Sequence, residues 1–290
     1  MPLDKSCAPM RVGATETLTF AGSRESSCEA HHRGRLLSKV VLEGNEVTPA
    51  EAQAKWDSWA ATQAALYLTD DFEPDLRGAR SYDKYRLVYC TIDANGDAIR
   101  ASALLTVPRG PGRFTIIVYH HGTNYQRIDA PSNPDETQVF EGPSVEVTFS
   151  PFAILIAPDL SGFEESSLVK HQYIVAGEAE GSIDAMIAAA QVWSALRASN
   201  GKVVSIGFSA GSHVALAFSR RAQELGLPVT GTAVIGTISQ PGAWLDALLD
   251  LADNDDPYFT LGRGLHGRRL PAGLRPQHLH DAVHRVPEPV

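Results

Sequence analysis

The stretch Val203-Val204-Ser205-Ile206-Gly207-Phe208-Ser209-Ala210-Gly211-Ser212-His213-Val214-Ala215-Leu216-Ala217-Phe218 decides how the chain is read. Its first four residues form a short apolar run of strand character, and Val214 to Phe218 continue as an apolar helical segment. Between them, Gly207-Phe208-Ser209-Ala210-Gly211 has the Gly-x-Ser-x-Gly pattern of a sharp strand-to-helix turn. Small residues on either side let the backbone hold the serine in a strained conformation, with its hydroxyl projecting free of the sheet. Five residues of this kind recur by chance. A strand before them and a helix after them are what nucleophilic chemistry requires, so Ser209 is the candidate nucleophile. The N–H of Ala210, at the positive end of the helix beginning there, is a candidate donor to a developing oxyanion.

Outward from this turn, apolar strands at 114–119, 152–157, 203–206 and 231–238 alternate with helical segments at 178–197, 211–223 and 244–252. Such alternation predicts a mostly parallel sheet covered by helices on both faces. Ahead of it, 85–92 and 98–107 alternate in the manner of an antiparallel pair, joined by Asp93-Ala94-Asn95-Gly96-Asp97, where Asn-Gly favours a tight turn. Thr48-Pro49-Ala50-Glu51 carries a cap, a first-position proline and a glutamate three residues after the cap, and opens a helix with Trp56, Trp59, Gln63 and Leu66. Thr123 closes Tyr119-His120-His121-Gly122-Thr123 at the end of the 114–119 strand, where a second oxyanion donor belongs. The competing reading of that loop is a plain turn in which Gly122 supplies conformational freedom.

At 290 residues and 43% hydrophobic, the chain can bury the core of one large α/β domain. Its net charge of -9 is scattered along the chain, which argues against a nucleic-acid surface. The longest apolar runs are strand-length, far short of the roughly 20 residues of a membrane span. Residues 1–30 intersperse charges throughout and offer no signal-peptide core. Residues 1–34 are expected to be a mobile N-terminal tail, 35–261 the domain, and 262–290 an irregular C-terminal tail rich in Arg, Pro, Gly, His and Leu. Of the three cysteines, Cys90 reads as a core residue. Cys7 and Cys28 read as free thiols, or as a bridge in an oxidising compartment.

His121-Gly122-Thr123, Ser132-Asn133-Pro134, Ala157-Pro158-Asp159 with Gly162, His171 with Tyr173, Glu178-Ala179-Glu180 before Ile183-Asp184, and the Ser209 turn followed by His213 form a set. That set resembles the secretory-lipase branch of the α/β-hydrolases, which also holds prolyl-aminopeptidase-like proteins, over about 34–261. The resemblance implies an α/β-hydrolase fold, a nucleophilic Ser209 with Thr123 and Ala210 as the oxyanion hole, and structural roles for Asp159 and His213. It implies a serine-dependent carboxylic ester hydrolase, esterase or lipase in kind, acting through an acyl-enzyme on a small-molecule ester or acyl substrate. No cofactor or metal is implied, and the family is often secreted.

In this fold the triad acid and then the histidine follow the nucleophile in chain order, after two further strands. Nothing in 262–290 resembles those strands, so the C-terminal strands are expected to be missing or replaced and the domain incomplete. His266, His278, His280 and His284, and Asp246, Asp255, Asp256 and Asp281, are the residues left to supply base and acid, with no pairing singled out. The alternative is a non-catalytic binding protein of the same fold, or an inactive truncated product.

Overall fold

The computed structural model describes residues 28–67, 76–124, 129–133, 142–162 and 175–237. The front of the sheet is set by strand β1 (Leu36–Val47), then, after helix α1 (Pro49–Tyr67), by strands β2 (Tyr82–Ile92) and β3 (Ala98–Pro108). The turn between β2 and β3 is built as its sequence dictates. The Asp93 carboxylate accepts the N–H groups of Asn95 and Asp97, both at 2.9 Å, and Gly96 takes φ 87°, a left-handed value that a side chain would resist. The ladder then runs unbroken from Ile92 opposite Ala98 to Tyr82 opposite Pro108.

Strand β4 (Phe114–His120), helix α2 (Gly142–Phe149), strand β5 (Ile154–Pro158), helices α3 (Val175–Ala190) and α4 (Trp193–Ala198), strand β6 (Ser199–Phe208), helix α5 (Ala210–Glu224) and strand β7 (Val229–Ile235) complete the described elements. The seven strands form one sheet in the order β1-β2-β3-β5-β4-β6-β7. The first three neighbour pairs are antiparallel and the last three parallel. Each residue of β5 is buried, as an unbroken apolar run in a twice-covered sheet should be. Ile154 and Ile156 pack on one face with Ile183 of α3 and Phe218 of α5, whereas Leu155 and Ala157 pack on the other with Val145 and Phe149 of α2.

Helix α1 starts at the anticipated cap: the Thr48 N–H donates to Glu51 Oε2 at 2.7 Å, and the Glu51 N–H returns to the Thr48 hydroxyl at 3.3 Å. Helix α2 was not legible, because Val145, Val147 and Thr148 are β-branched and the two valines alternate like a strand. Packing overrides that preference, Val147 seating against Trp56 and Tyr82. The helix expected over 178–197 is two, parted at Gln191. Its Nε2 donates to the Gly34 carbonyl at 2.6 Å while its Oε1 accepts the Leu36 N–H at 3.2 Å. Val192 is extended there (φ -82°, ψ 113°), so the chain leaves α3 to hold the N-terminal segment.

That segment corrects two expectations. Cys28 is bonded to Cys90, across a sequence separation of 62, so neither is a free thiol. Cys90 is fully buried as expected, but the pairing of Gly34 and Arg35 with Cys90 and the 3-10 turn before them bring Cys28, 62 residues earlier, to it, which spacing alone does not reveal. Residues 28–34, assigned by the sequence to a mobile tail, hold a 3-10 turn (Ala30–His32). The Gly34 N–H donates to the Cys90 carbonyl at 2.8 Å, and the Arg33 guanidinium grips Asp184 at 3.1 Å and also Glu180. Among the described residues no helix is long and apolar enough to cross a membrane. The rest of the expected N-terminal tail (1–27), His171, Tyr173, the helix at 244–252 and the C-terminal tail lie outside the described residues.

Candidate active site

β6 ends beside both of its neighbours: His120 of β4 is opposite Gly207, and Phe208 is opposite Ile235 of β7. The chain then reverses into α5 through Ser209, which has φ 49° and ψ -117°. A non-glycine residue at positive φ costs of order 1 to 3 kcal/mol, and persists only where its surroundings enforce it. They do so here. The Ser209 N–H donates to the Ile235 carbonyl at 2.8 Å, and the Ser212 N–H donates to the Ser209 carbonyl at 3.0 Å. The Ser212 hydroxyl lies 2.9 Å from the Ile235 oxygen and 3.1 Å from that of Gly207, tying both strand ends to the helix.

The two motif glycines are enforced by contact. A Cβ at Gly207 would lie 2.3 Å from the Gly211 carbonyl oxygen, and one at Gly211 would lie 2.0 Å from the His120 carbonyl oxygen and 2.5 Å from that of His121. The first turn of α5 therefore rests directly on the end of β4. Thr123 follows the end of β4 by three residues, and it, Ser209 and Ala210 are all half-buried.

That loop is fastened from below. The His121 ring is buried, its nitrogens 2.7 Å from the Gly122 carbonyl oxygen and 3.1 Å from that of Asp159, so it joins the loop after β4 to the end of β5. The Asp159 carboxylate, fully buried, accepts the Ser102 hydroxyl at 2.5 Å, the Ser132 N–H at 2.8 Å and the Ser132 hydroxyl. Burial pushes its carboxyl up from the ordinary range, against the opposing pull of the Ser102 and Ser132 hydrogen bonds. Asp159 thus joins β3, the segment at 129–133 and the end of β5.

His120 is also a core residue. His120 Nδ1 lies 3.3 Å from the Ser182 hydroxyl, which donates to the Glu178 carbonyl at 2.8 Å, and Nε2 lies 3.2 Å from the Ser205 hydroxyl, which also reaches the Ala215 carbonyl at 3.3 Å. Burial first, and the neighbouring His121 second, push the His120 pKa down to about 3, which keeps this doubly bonded ring neutral.

His213 lies on α5 within a turn of Ser209, half-buried, and is the one histidine after Ser209 among the described residues. The one acid there, Glu224, pairs with Arg220 and Arg221. The residues named for base and acid in the C-terminal part lie outside the described residues. Sequence reading did not anticipate the work of Glu180 and Asp184, one helical turn apart, which share Arg33. Glu180 also holds Arg221 of α5 at 2.7 Å.

No protein-family model matches the chain, and no curated protein matches it. Solved structures do. A candidate hydrolase from Legionella pneumophila superposes with a TM-score of 0.58 at 23% identity, covering 70% of this chain and 52% of that one. The rice cell wall degrading esterase LipA from Xanthomonas oryzae superposes with a TM-score of 0.52 at 27% identity, covering 70% of this chain and 49% of that one. The fold is an α/β-hydrolase fold. Within it, the parallel β4, β5 and β6 direct their C-terminal ends to one edge of the sheet, and Ser209 and Thr123 both lie at that edge. The chain spans about half the length of these structures.

Proposed function

We propose that this α/β-hydrolase-fold chain is a serine-dependent carboxylic ester hydrolase, its hydrolase unit running over 35–261. The observation that carries the reading is Ser209 at φ 49°, held there by hydrogen bonds and by glycines that admit no side chain. A backbone strained in this way has no use in a plain turn, and it serves a nucleophile that must stand clear of the sheet. The Ser209 hydroxyl adds to the acyl carbonyl, the N–H groups of Ala210 and Thr123 receive the oxyanion, the alcohol leaves, and water then releases the acid from the acyl-enzyme. The likeness to an esterase at 27% identity supports an ester as substrate.

The base and acid are drawn from the part of the chain after β7, where His266, His278, His280, His284, Asp246, Asp255, Asp256 and Asp281 are the residues of the right type. A second reading rests on one observation: among the described residues, the only histidine after Ser209 sits on α5 itself. In that reading the chain is a binding protein on a hydrolase fold, or a hydrolase reduced to the roughly 1,000 to 10,000-fold over water that an oxyanion hole and binding alone provide.

Hydrolysis of a short-chain p-nitrophenyl ester by wild-type and Ser209→Ala protein separates the two. Turnover that falls to background in the variant is the expected result, and equal near-background rates would establish the second reading.

A further inference from the structure

The first described residues gather a set of donor groups that ester hydrolysis does not use. Cys28 is fixed to β2 by its disulfide, and Arg33 is fixed to α3 by Asp184 and Glu180. Between these two anchors lie Glu29, His31 and His32, the last two in the single 3-10 turn. One carboxylate oxygen and one nitrogen from each ring lie within 4.8 Å of one another. His31 Nδ1 is 3.3 Å from Glu29 Oε2, and the two ring centres are 4.0 Å apart. His32 Nδ1 is shut off from solvent without a hydrogen-bond partner among the described residues. A buried ring nitrogen in that state is costly.

We propose that Glu29, His31 and His32 form a binding site for a borderline divalent transition metal of the Zn2+ class. Two imidazoles and a carboxylate suit Zn2+, whereas Mg2+ and Ca2+ favour sites made of oxygen alone. Bonds of about 2.0 to 2.1 Å in a tetrahedron separate ligand atoms by roughly 3.3 Å, so the His31–Glu29 distance already fits and the third donor closes in by side-chain rotation. Glu29 and His31 are exposed, which leaves the fourth position to water. The two anchors hold the turn before any metal arrives, so little ordering remains for binding to impose. The Arg35 guanidinium acts on His32 from nearby and opposes a cation.

The test uses the full, oxidised chain without a histidine tag, titrated calorimetrically with Zn2+. One Zn2+ per chain is expected, weakened about tenfold or more in His31→Ala and in His32→Ala, weakened also in Glu29→Gln, and tightened in Arg35→Gln. A Cys28→Ser/Cys90→Ser pair, checked for an intact sheet by circular dichroism, should bind more weakly because the turn is freed. Absence of binding overturns the proposal. So does binding that survives the His31→Ala/His32→Ala double variant unchanged, which would place the metal elsewhere, for example on the C-terminal histidines.

Discussion

A methyl group at position 211 would sit 2.0 Å from the His120 carbonyl oxygen, backbone that cannot move without shifting β4. Gly211→Ala should therefore destabilise by about 1 to 3 kcal/mol in urea unfolding, the cost of overpacking. At Gly231 nothing lies within 4 Å of an added Cβ, so Gly231→Ala should change stability by less than about 1 kcal/mol. Equal effects at the two sites would mean that the packing under Ser209 is looser than described. His120 carries a pH prediction of definite sign. Its folded pKa of about 3 lies below the ordinary value of 6.5, so between these the unfolded chain binds the extra proton. The stability His120 contributes is present above pH 6.5 and is lost as pH falls toward 3, with a slope approaching about 1.4 kcal/mol per unit. His120→Asn, which has nothing to titrate, should show a shallower decline when both proteins are unfolded in urea from pH 7.5 to 4.5.

At the scale of elements, the N-terminal segment is held by a covalent bond, by Arg33 and by Gln191 together. Closing a loop over a separation of 62 residues removes chain entropy from the unfolded state worth roughly 4 kcal/mol. Reduction should lower the melting temperature by several degrees while leaving circular dichroism of the native sheet intact, and an unchanged melt would show that the bond constrains nothing. The elements near this segment were also the hardest to read in advance. The Asn-Gly hairpin and the capped α1 are written locally, so they were legible. The break at Gln191 depends on Gly34 and Leu36, more than 150 residues away, and no local pattern encodes it.

For the whole molecule, the sheet finishes among the described residues on β7, where Val234 and Ile235 are 39% and 55% exposed. An apolar edge of this kind is a template for pairing between chains. Ile235→Lys should lower light scattering on concentration without lowering the melting temperature; scattering that persists would assign self-association to another surface. The α/β-hydrolase architecture was readable because strand and helix periods alternate from Phe114 onward, and the sharp turn at Ser209 because its glycines are required by the backbone itself. The hub at Asp159 was not readable from spacing, since Ser102 and Ser132 come from separate segments that only the folded sheet brings together. The same dependence on the finished sheet governs how the one observed disulfide is chosen during synthesis. Cys28 emerges with Cys7 only 21 residues behind it (28 − 7), whereas Cys90 follows 62 residues later. Short loops close most readily, so the early opportunity is Cys7 and the lasting partner is Cys90. Any bridge closed early to Cys7 would have to be undone by thiol–disulfide exchange, with the pairing of β2 selecting Cys90.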